Sequence, residues 1–527
     1  MKKIFNFKEN YFYYFLFIYL FICIYFSLKV GITHDEAHSS WVWELNRDKI
    51  ENLFFNTKNN VDILDTYHGY YGIGFYLISA PLDLFFSKLI DFKDVNIEGA
   101  HLLIKHPLVI IFFVTAGIYF KKIIFFTTKD KFFSNISSIF FLTYPYLLGH
   151  SFFNVKDVPF MSVWLISTYY IIKILNNYFI KNKTKKKDLI IFALLTSFLI
   201  SLRISGFLIF VEYIIFLIFY INVFQLNFFS FIKKINKEIF VFSSIFLISL
   251  FLFYPNFWQD PLKFFYSIDF MRSHIQTVCT LTLGECMKAQ NLPSSYIFIW
   301  LFFKLPLIII FGLLIFPFIE KKLFSKQQNV LILGPLITSI FLIIFLLILL
   351  NVNLYDELRQ VLFLVPLIMI ISLILIFNYK KKLGTGIISL FILFFIYQNI
   401  KMFPYNYIWI NNFNFFLNIT KNFELDYWGV STRNIGNFFN KKKHIQDSCI
   451  ISNRNKDGIK FFVINQATCF KPFSDLHKKN IRPFYVALTE RAINKGVPNK
   501  CEIVHQEKVK MNFSKENLIL AKVFKCD

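Results

Sequence analysis

The sequence predicts a mainly α-helical polytopic membrane protein, with about eleven transmembrane helices and a small α/β or α+β domain at the C-terminal end. Three observations predict this. Hydrophobic residues make up 56% of the 527 and charged residues only 17%, against roughly 45–50% and about 25% in soluble chains. The apolar residues come in blocks of span length. Lysines gather in short runs between the blocks, and a polar tail, 403–527, follows the last one. This composition excludes a disordered chain, a collagen-like fibre, a coiled coil and a small disulfide scaffold. The 73 Phe, beside abundant Ile, Asn and Lys, suggest an AT-rich genome, so single Phe residues carry no functional weight. A net charge of +24 would point to nucleic acid in a soluble protein. Here the basic runs read as membrane topology, and no nucleic-acid partner is expected.

The first block, Tyr11 to Leu28, follows Lys2, Lys3 and Lys8 and lacks a small-residue cleavage site. It reads as a retained first span with a cytoplasmic N-terminus. Further blocks lie at 69–89, 101–120, 133–150, 158–177, 188–202, 204–222, 238–255, 296–318, 329–350, 360–378 and 384–402. Lysine clusters at 121–131, 181–187, 233–237, 321–326 and 380–382 should all face the cytoplasm. That holds only if one early block does not cross. Block 69–89 carries Gly72, Gly74, Pro81 and Asp83, and reads as a helix lying at, or dipping into, the outer face. The alternative is that it crosses and another block does not.

Loops 29–100, 150–157, 256–295 and 351–359, the turn at Arg203, and the tail are then extracytoplasmic. The chain divides into a membrane domain, 1–402, and an outer domain, 403–527. In the tail, short apolar runs at Cys449–Ser452, Pro483–Leu488, Cys501–His505 and Leu518–Phe524 read as strands, and 431–442 as a helix. Of seven Cys, only Cys23 lies in a span. The other six lie where disulfides persist. Six allow 15 pairings, and Cys279 with Cys286 is the simplest local pair.

Chemistry-bearing residues cluster at that same face. Thr33-His34-Asp35-Glu36-Ala37-His38 follows the first span. Adjacent helical residues point about 100° apart, so one carboxylate could face a reaction centre while the other holds the loop. A capping box, Thr33 with Glu36, explains the same letters. Asn154-Val155-Lys156-Asp157 precedes the fourth span, where Asp157 could cap a helix. Arg203 sits between two apolar runs, either functional or snorkelling to the surface. Tyr355-Asp356-Glu357-Leu358-Arg359 reads either as part of a site or as a solvated turn. The loop 256–293, with Trp258, Asp260, Arg272 and His274, reads as a solvated loop. Acidic groups and guanidiniums converging on one membrane face suit an anionic, lipid-linked substrate. Membrane lipids are the other expected partner.

With these motifs the sequence resembles the GT-C integral-membrane glycosyltransferases that use polyprenyl-phosphate sugars, the group of the protein O-mannosyltransferases and aminoarabinose transferases. The resemblance rests on His34-Asp35-Glu36-Ala37, His68-Gly69-Tyr70-Tyr71-Gly72, Asp157, Leu202-Arg203-Ile204-Ser205-Gly206, Tyr355-Asp356-Glu357-Leu358-Arg359 and Asp426-Tyr427-Trp428-Gly429. It implies Asp35 as general base, Glu36 as its neighbour in the catalytic motif, and Asp157 as a second acidic residue orienting the acceptor or a divalent ion. It implies a donor-phosphate site, for which His68, Lys156, Arg203, Asp356 and Arg359 are the candidates. His68 stands where some members carry Lys. The implied reaction is transfer from a polyprenyl-phosphate sugar, with inversion, to a glycan, lipid or protein hydroxyl at the outer face of the inner membrane. Some members use a metal and others do not, so a divalent cofactor stays open here. A transporter or lipid flippase is the competing class. Against it, the charges gather at one face, not at mid-span, and no inverted repeat is visible.

Overall fold

The computed structural model describes residues 2–55, 64, 66–86, 92, 94–183, 185–273, 278–442, 448–453, 456–464, 469–476, 484–489, 496–497, 500–511 and 517–526. His274 lies outside them. Among the described residues, seven helices are long and apolar enough to cross a membrane: Asn10–Ser27, Ile97–Thr128, Asp157–Lys181, Ile204–Val223, Asn236–Phe253, Gln327–Leu349 and Leu364–Met402. An eighth forms if Tyr296–Lys304 and Leu307–Leu314, bent by 115°, count as one broken span. The protein is an integral membrane protein with a mainly α fold.

The remaining expected spans fall on less regular helices. Block 133–150 is a 13-residue helix, Lys131–Thr143, interrupted at Tyr144-Pro145 before a second short helix. Pro145 has no N–H to continue the ladder. Block 188–202 is a 17-residue helix, Lys186–Leu202. Blocks 360–378 and 384–402 merge into the 39-residue Leu364–Met402, broken by non-helical backbone at Lys380. Block 69–89 contains a 13-residue helix, Gly74–Phe86, shorter than the roughly 20 residues a span needs.

The helix His106–Thr128 packs between Lys131–Thr143 and Asp157–Lys181, and Ile209–Val223 packs on Gln327–Leu349. Its 23 residues give a length of about 35 Å. The lysine clusters meet at its C-terminal end. Lys381 pairs with Asp130, Gln328 Nε2 donates to the Phe126 carbonyl, and Lys234 lies 5.9 Å from the Tyr178 ring centre. Burial, then the Lys181 charge, lowers the Lys129 amine.

At the opposite end, Cys279–Thr282 (β1) and Glu285–Lys288 (β2) form a hairpin closed by the Cys279–Cys286 disulfide. The turn uses Leu283 and Gly284, both with positive φ. This part of loop 256–293 is therefore folded, not merely solvated: Thr280 and Thr282 are fully buried.

The tail carries a mixed five-stranded sheet of Cys449–Ser452 (β3), Cys469–Pro472 (β4), Phe484–Thr489 (β5), Cys501–Val509 (β6) and Leu518–Cys526 (β7), in the order β4-β3-β5-β7-β6. β3 is parallel to β4 and β5, whereas β5–β7 and β6–β7 are antiparallel. Alternation places Ile450 in the core under the helices Thr432–Asn440 and Lys456–Phe462, and Ile451 in a second core with Val486 and Leu488. Disulfides join Cys449 to Cys469 and Cys501 to Cys526, leaving Cys23 the free cysteine.

This tail grips the loop after the first span. Arg433 donates to Asp94 (2.6 Å) and to the Leu28 carbonyl (2.6 Å), and Thr432 Oγ1 to the Ile32 carbonyl (2.9 Å). Phe461 and Phe462 pack on Ile32, Leu102 and Leu103. A Cβ at Gly31 would collide with the Val430 carbonyl, so only glycine permits this approach.

Candidate active site

The residues just after the first span form a helix, His34–Phe55, whose start is fixed by the capping box. Glu36 Oε2 accepts from Thr33 N–H (2.8 Å) and Thr33 Oγ1 (2.7 Å), and Glu36 N–H donates to Thr33 Oγ1 (3.3 Å). The other Glu36 oxygen meets His106 Nε2 at 2.5 Å. His106 Nδ1 faces the Ser27 carbonyl (2.9 Å), to which it can only donate. Glu36 is 1% exposed and does not line the cavity. Glu36, expected as a neighbour in the catalytic motif, holds the loop through these bonds, and Asp35, one residue earlier, lines the open space.

That space is a cavity of about 460 Å³, within the usual range for ligand sites. Four distant segments bring charged side chains to it: Asp35 from the first, Lys156 from the second, Arg203 from the third, and Asp356 with Arg359 from the fourth, joined by His34 and His38. Apolar lining comes from Leu202, Ile204, Leu208, Leu347, Val352 and Phe363.

Arg359 is the most constrained cation. Its Nη1 donates to Asp35 Oδ2 at 2.6 Å and its Nη2 pairs with Asp356 Oδ2 at 3.0 Å. The rings of Tyr355 and Trp428 each lie 4.7 Å from its Cζ. Although burial disfavours its charge, Asp35, then Tyr355 and Asp157, raise its pKa further above the ordinary value. Burial alone would also raise Asp35, but Arg359 and Lys156 overcome it and hold this carboxyl well below the usual range.

Arg203 follows the break after the helix Lys186–Leu202 and donates to Asp157 Oδ1 at 2.5 Å. Asn154 Nδ2 donates to the other Asp157 oxygen (3.0 Å), and Asp157 N–H donates to Asn154 Oδ1 (2.8 Å). Asp157 is 1% exposed and stands behind the cavity wall, where it fixes Arg203. A Cβ at Gly72 would strike the Ser201 carbonyl, so the Tyr70-Tyr71-Gly72 segment packs tightly on this turn.

Lys156 differs from both arginines. Among the described residues no carboxylate lies within ion-pair distance of it, and its ammonium sits 4.5 Å from the Tyr71 ring centre. Burial lowers its pKa to about 8, despite the pull of Asp35. His38 is lowered to about 4, by burial and then by Lys156, and is neutral at pH 7. His68 packs behind His38 and Trp41, with ring centres 5.6 and 4.4 Å away, and does not line the cavity.

Other residues of the quoted motifs act as partners, and Lys304, not singled out from the sequence, joins them. Trp428 and Tyr355 sandwich Arg359. Glu357, in the expected polar turn, is fully buried against Lys304 (2.8 Å). Lys304 had a usable signal, a lone charge inside an apolar block. Asp426 accepts from Tyr407 Oη, Val430 N–H (2.8 Å) and Ser431 N–H (3.1 Å), so it shapes the turn that presents Trp428. Exposed Arg272 pairs with Asp269 at 2.9 Å.

No three His, Cys, Asp or Glu side chains gather to hold a metal among the described residues. Asp35, Asp157 and Asp356 each face a guanidinium instead. The site does not fit a divalent ion, and no step below runs through one.

No protein-family model matches the chain. No curated protein matches it in sequence. Among solved structures it is similar to ArnT from Cupriavidus metallidurans bound to undecaprenyl phosphate, with 8% identity, TM-score 0.47, and 98% of this chain and 97% of the other covered. It is also similar to the Archaeoglobus fulgidus oligosaccharyltransferase in complex with zinc and sulfate, with 10% identity, TM-score 0.34, and 89% and 68% covered.

Proposed function

We propose that this protein is a GT-C glycosyltransferase that moves a sugar from a polyprenyl-phosphate donor to an acceptor hydroxyl at the extracytoplasmic face of the inner membrane. The observation that carries this reading is the cavity wall. Three cations, Lys156, Arg203 and Arg359, share with the carboxylate of Asp35 a pocket that Leu202, Ile204, Leu208, Leu347, Val352 and Phe363 make apolar in part. Such a wall suits a phosphate with an apolar tail. The order of motifs along the sequence supports the same reading. The lysine clusters at the far end support a cytoplasmic N-terminus and an outer domain at 403–527.

In this scheme the cations neutralise the leaving phosphate as the bond from sugar C1 to the phosphate oxygen breaks. The acceptor oxygen attacks C1 from the opposite side, which inverts the centre, and its proton passes to Asp35. A carboxylate held acidic by Arg359 is a weak base. Donor phosphate drawing the guanidinium toward itself would restore its basicity at the moment of transfer. Asp157 acts through Arg203.

The test uses purified protein in liposomes with labelled polyprenyl-phosphate sugars and a crude envelope acceptor extract. Transfer of label to an acceptor is expected, and the donor used names the sugar. Stimulated movement of the lipid across the bilayer, with no transfer from any donor, would favour the flippase instead.

A further inference from the structure

Asp356 and Glu357 are consecutive non-glycine residues with left-handed backbone, φ +58° and +64°. L-residues disfavour this conformation, so surrounding contacts must impose it. Three do so. Asp356 N–H donates to Thr280 Oγ1 at 2.8 Å. The Glu357 carboxylate pairs with Lys304 at 2.8 Å, and the Glu357 carbonyl accepts from Tyr296 Oη at 3.4 Å. The reversal brings the Asp356 carboxylate back onto Arg359 Nη2, while Asp35 holds Nη1.

Thr280 is itself held rigidly. It lies on β1, closed by the Cys279–Cys286 disulfide and fully buried. The hairpin is stitched to the tail by Leu281 N–H to Glu424 (3.0 Å), Glu424 N–H to the Leu281 carbonyl (2.9 Å) and Gly284 N–H to the Asn422 carbonyl (3.1 Å). It is stitched to the broken span by Trp300 Nε1 to Thr282 Oγ1 (3.1 Å). A hairpin fixed on two sides therefore reaches, through one hydroxyl, the turn that aims the principal guanidinium.

We infer that Thr280 is a positioning residue of the cavity, holding the Asp356–Glu357 turn so that Arg359 presents to an anionic ligand. This rests on the proposed phosphate-binding role of Arg359. Its substitution should matter through Arg359 and not through general stability.

The test has two readouts on the full-length protein: hydrogen exchange of segment 353–361, and affinity for farnesyl phosphate as a soluble polyprenyl phosphate. T280V, or T280A should T280V fail to insert, leaves the Asp356 N–H without its acceptor. Exchange should rise and affinity fall by about 10-fold. T280S restores the acceptor and should keep both within about 2-fold of wild type. In an R359A background, T280V should weaken binding no further, since the two act on one path. Faster exchange with unchanged affinity, or an equal loss of affinity with and without Arg359, overturns the inference. A wild-type protein that binds no farnesyl phosphate overturns the role of Arg359 first, and the exchange data alone then report what Thr280 does to the turn.

Discussion

Asp35→Asn separates the observed role of this carboxylate, as counter-ion, from its proposed role as base. In the resting site Asp35 is the counter-ion of Arg359, at 2.6 Å, with the Asp35 side chain 33% exposed and the Arg359 side chain 4%. Two unit charges about 4 Å apart at an effective dielectric near 20 attract by about 4 kcal/mol. Much of that is screened at a part-exposed carboxylate, and Asp356 remains on the other edge of the guanidinium at 3.0 Å. About 1 kcal/mol should therefore appear in ligand affinity, so D35N should bind farnesyl phosphate about 5-fold more tightly. Transfer should fall by at least ~10²-fold, because the base is gone. The assay is paired: equilibrium binding of farnesyl phosphate and single-turnover sugar transfer in liposomes, on protein of matched insertion. Tighter binding with lost transfer supports the scheme. Equal transfer by D35N removes Asp35 as base, and weaker binding shows that Asp35 does not compete with phosphate for Arg359.

Four further outcomes are expected. Farnesyl phosphate affinity should fall as pH rises through about 8, because Lys156, lowered to that value, loses its proton; in Lys156→Met the loss should be present already at pH 7 and the inflection gone. Glu36→Gln should lower the unfolding midpoint in detergent, by about 1–3 kcal/mol of stability, while the turnover of the folded fraction stays within a few-fold. Glu357→Gln should destabilise by about 3–5 kcal/mol, because it strands the buried Lys304 ammonium, and the double variant Glu357→Leu with Lys304→Met should recover most of that loss. Denatured without reductant, the protein should take up one alkylating group, at Cys23, and after reduction seven.

Much of the fold was legible because its signals are local. Blocks of apolar residues mark helices, and β3 at Cys449–Ser452 begins and ends where the apolar run does. Turn punctuation, Tyr144-Pro145 and Lys380, decided which blocks became whole helices, and a hydropathy pattern does not register a break of one residue. The site was legible as a list of polar motifs but not as a geometry. Asp35 and Arg359 lie 324 residues apart, and nothing near either one specifies the other. The letters of the Asp-Glu pair fit both a capping box and a catalytic dyad, and the fold places Glu36 in the cap and Asp35 on the cavity. Thr280 carries no sequence signal at all. A threonine on a short strand is ordinary, and its importance comes from what stands 2.8 Å away.

The last wall of the cavity to be synthesised has a consequence for biogenesis. Trp428, which covers one face of Arg359 and whose carbonyl accepts from His34 N–H at 3.4 Å, emerges long after Asp35 has been placed. A nascent chain that has threaded every apolar helix still lacks this ring and the grip of Arg433 on the first loop. Completion of the cavity thus waits for synthesis of the tail, and a chain stopped short of it has the helices without the finished wall.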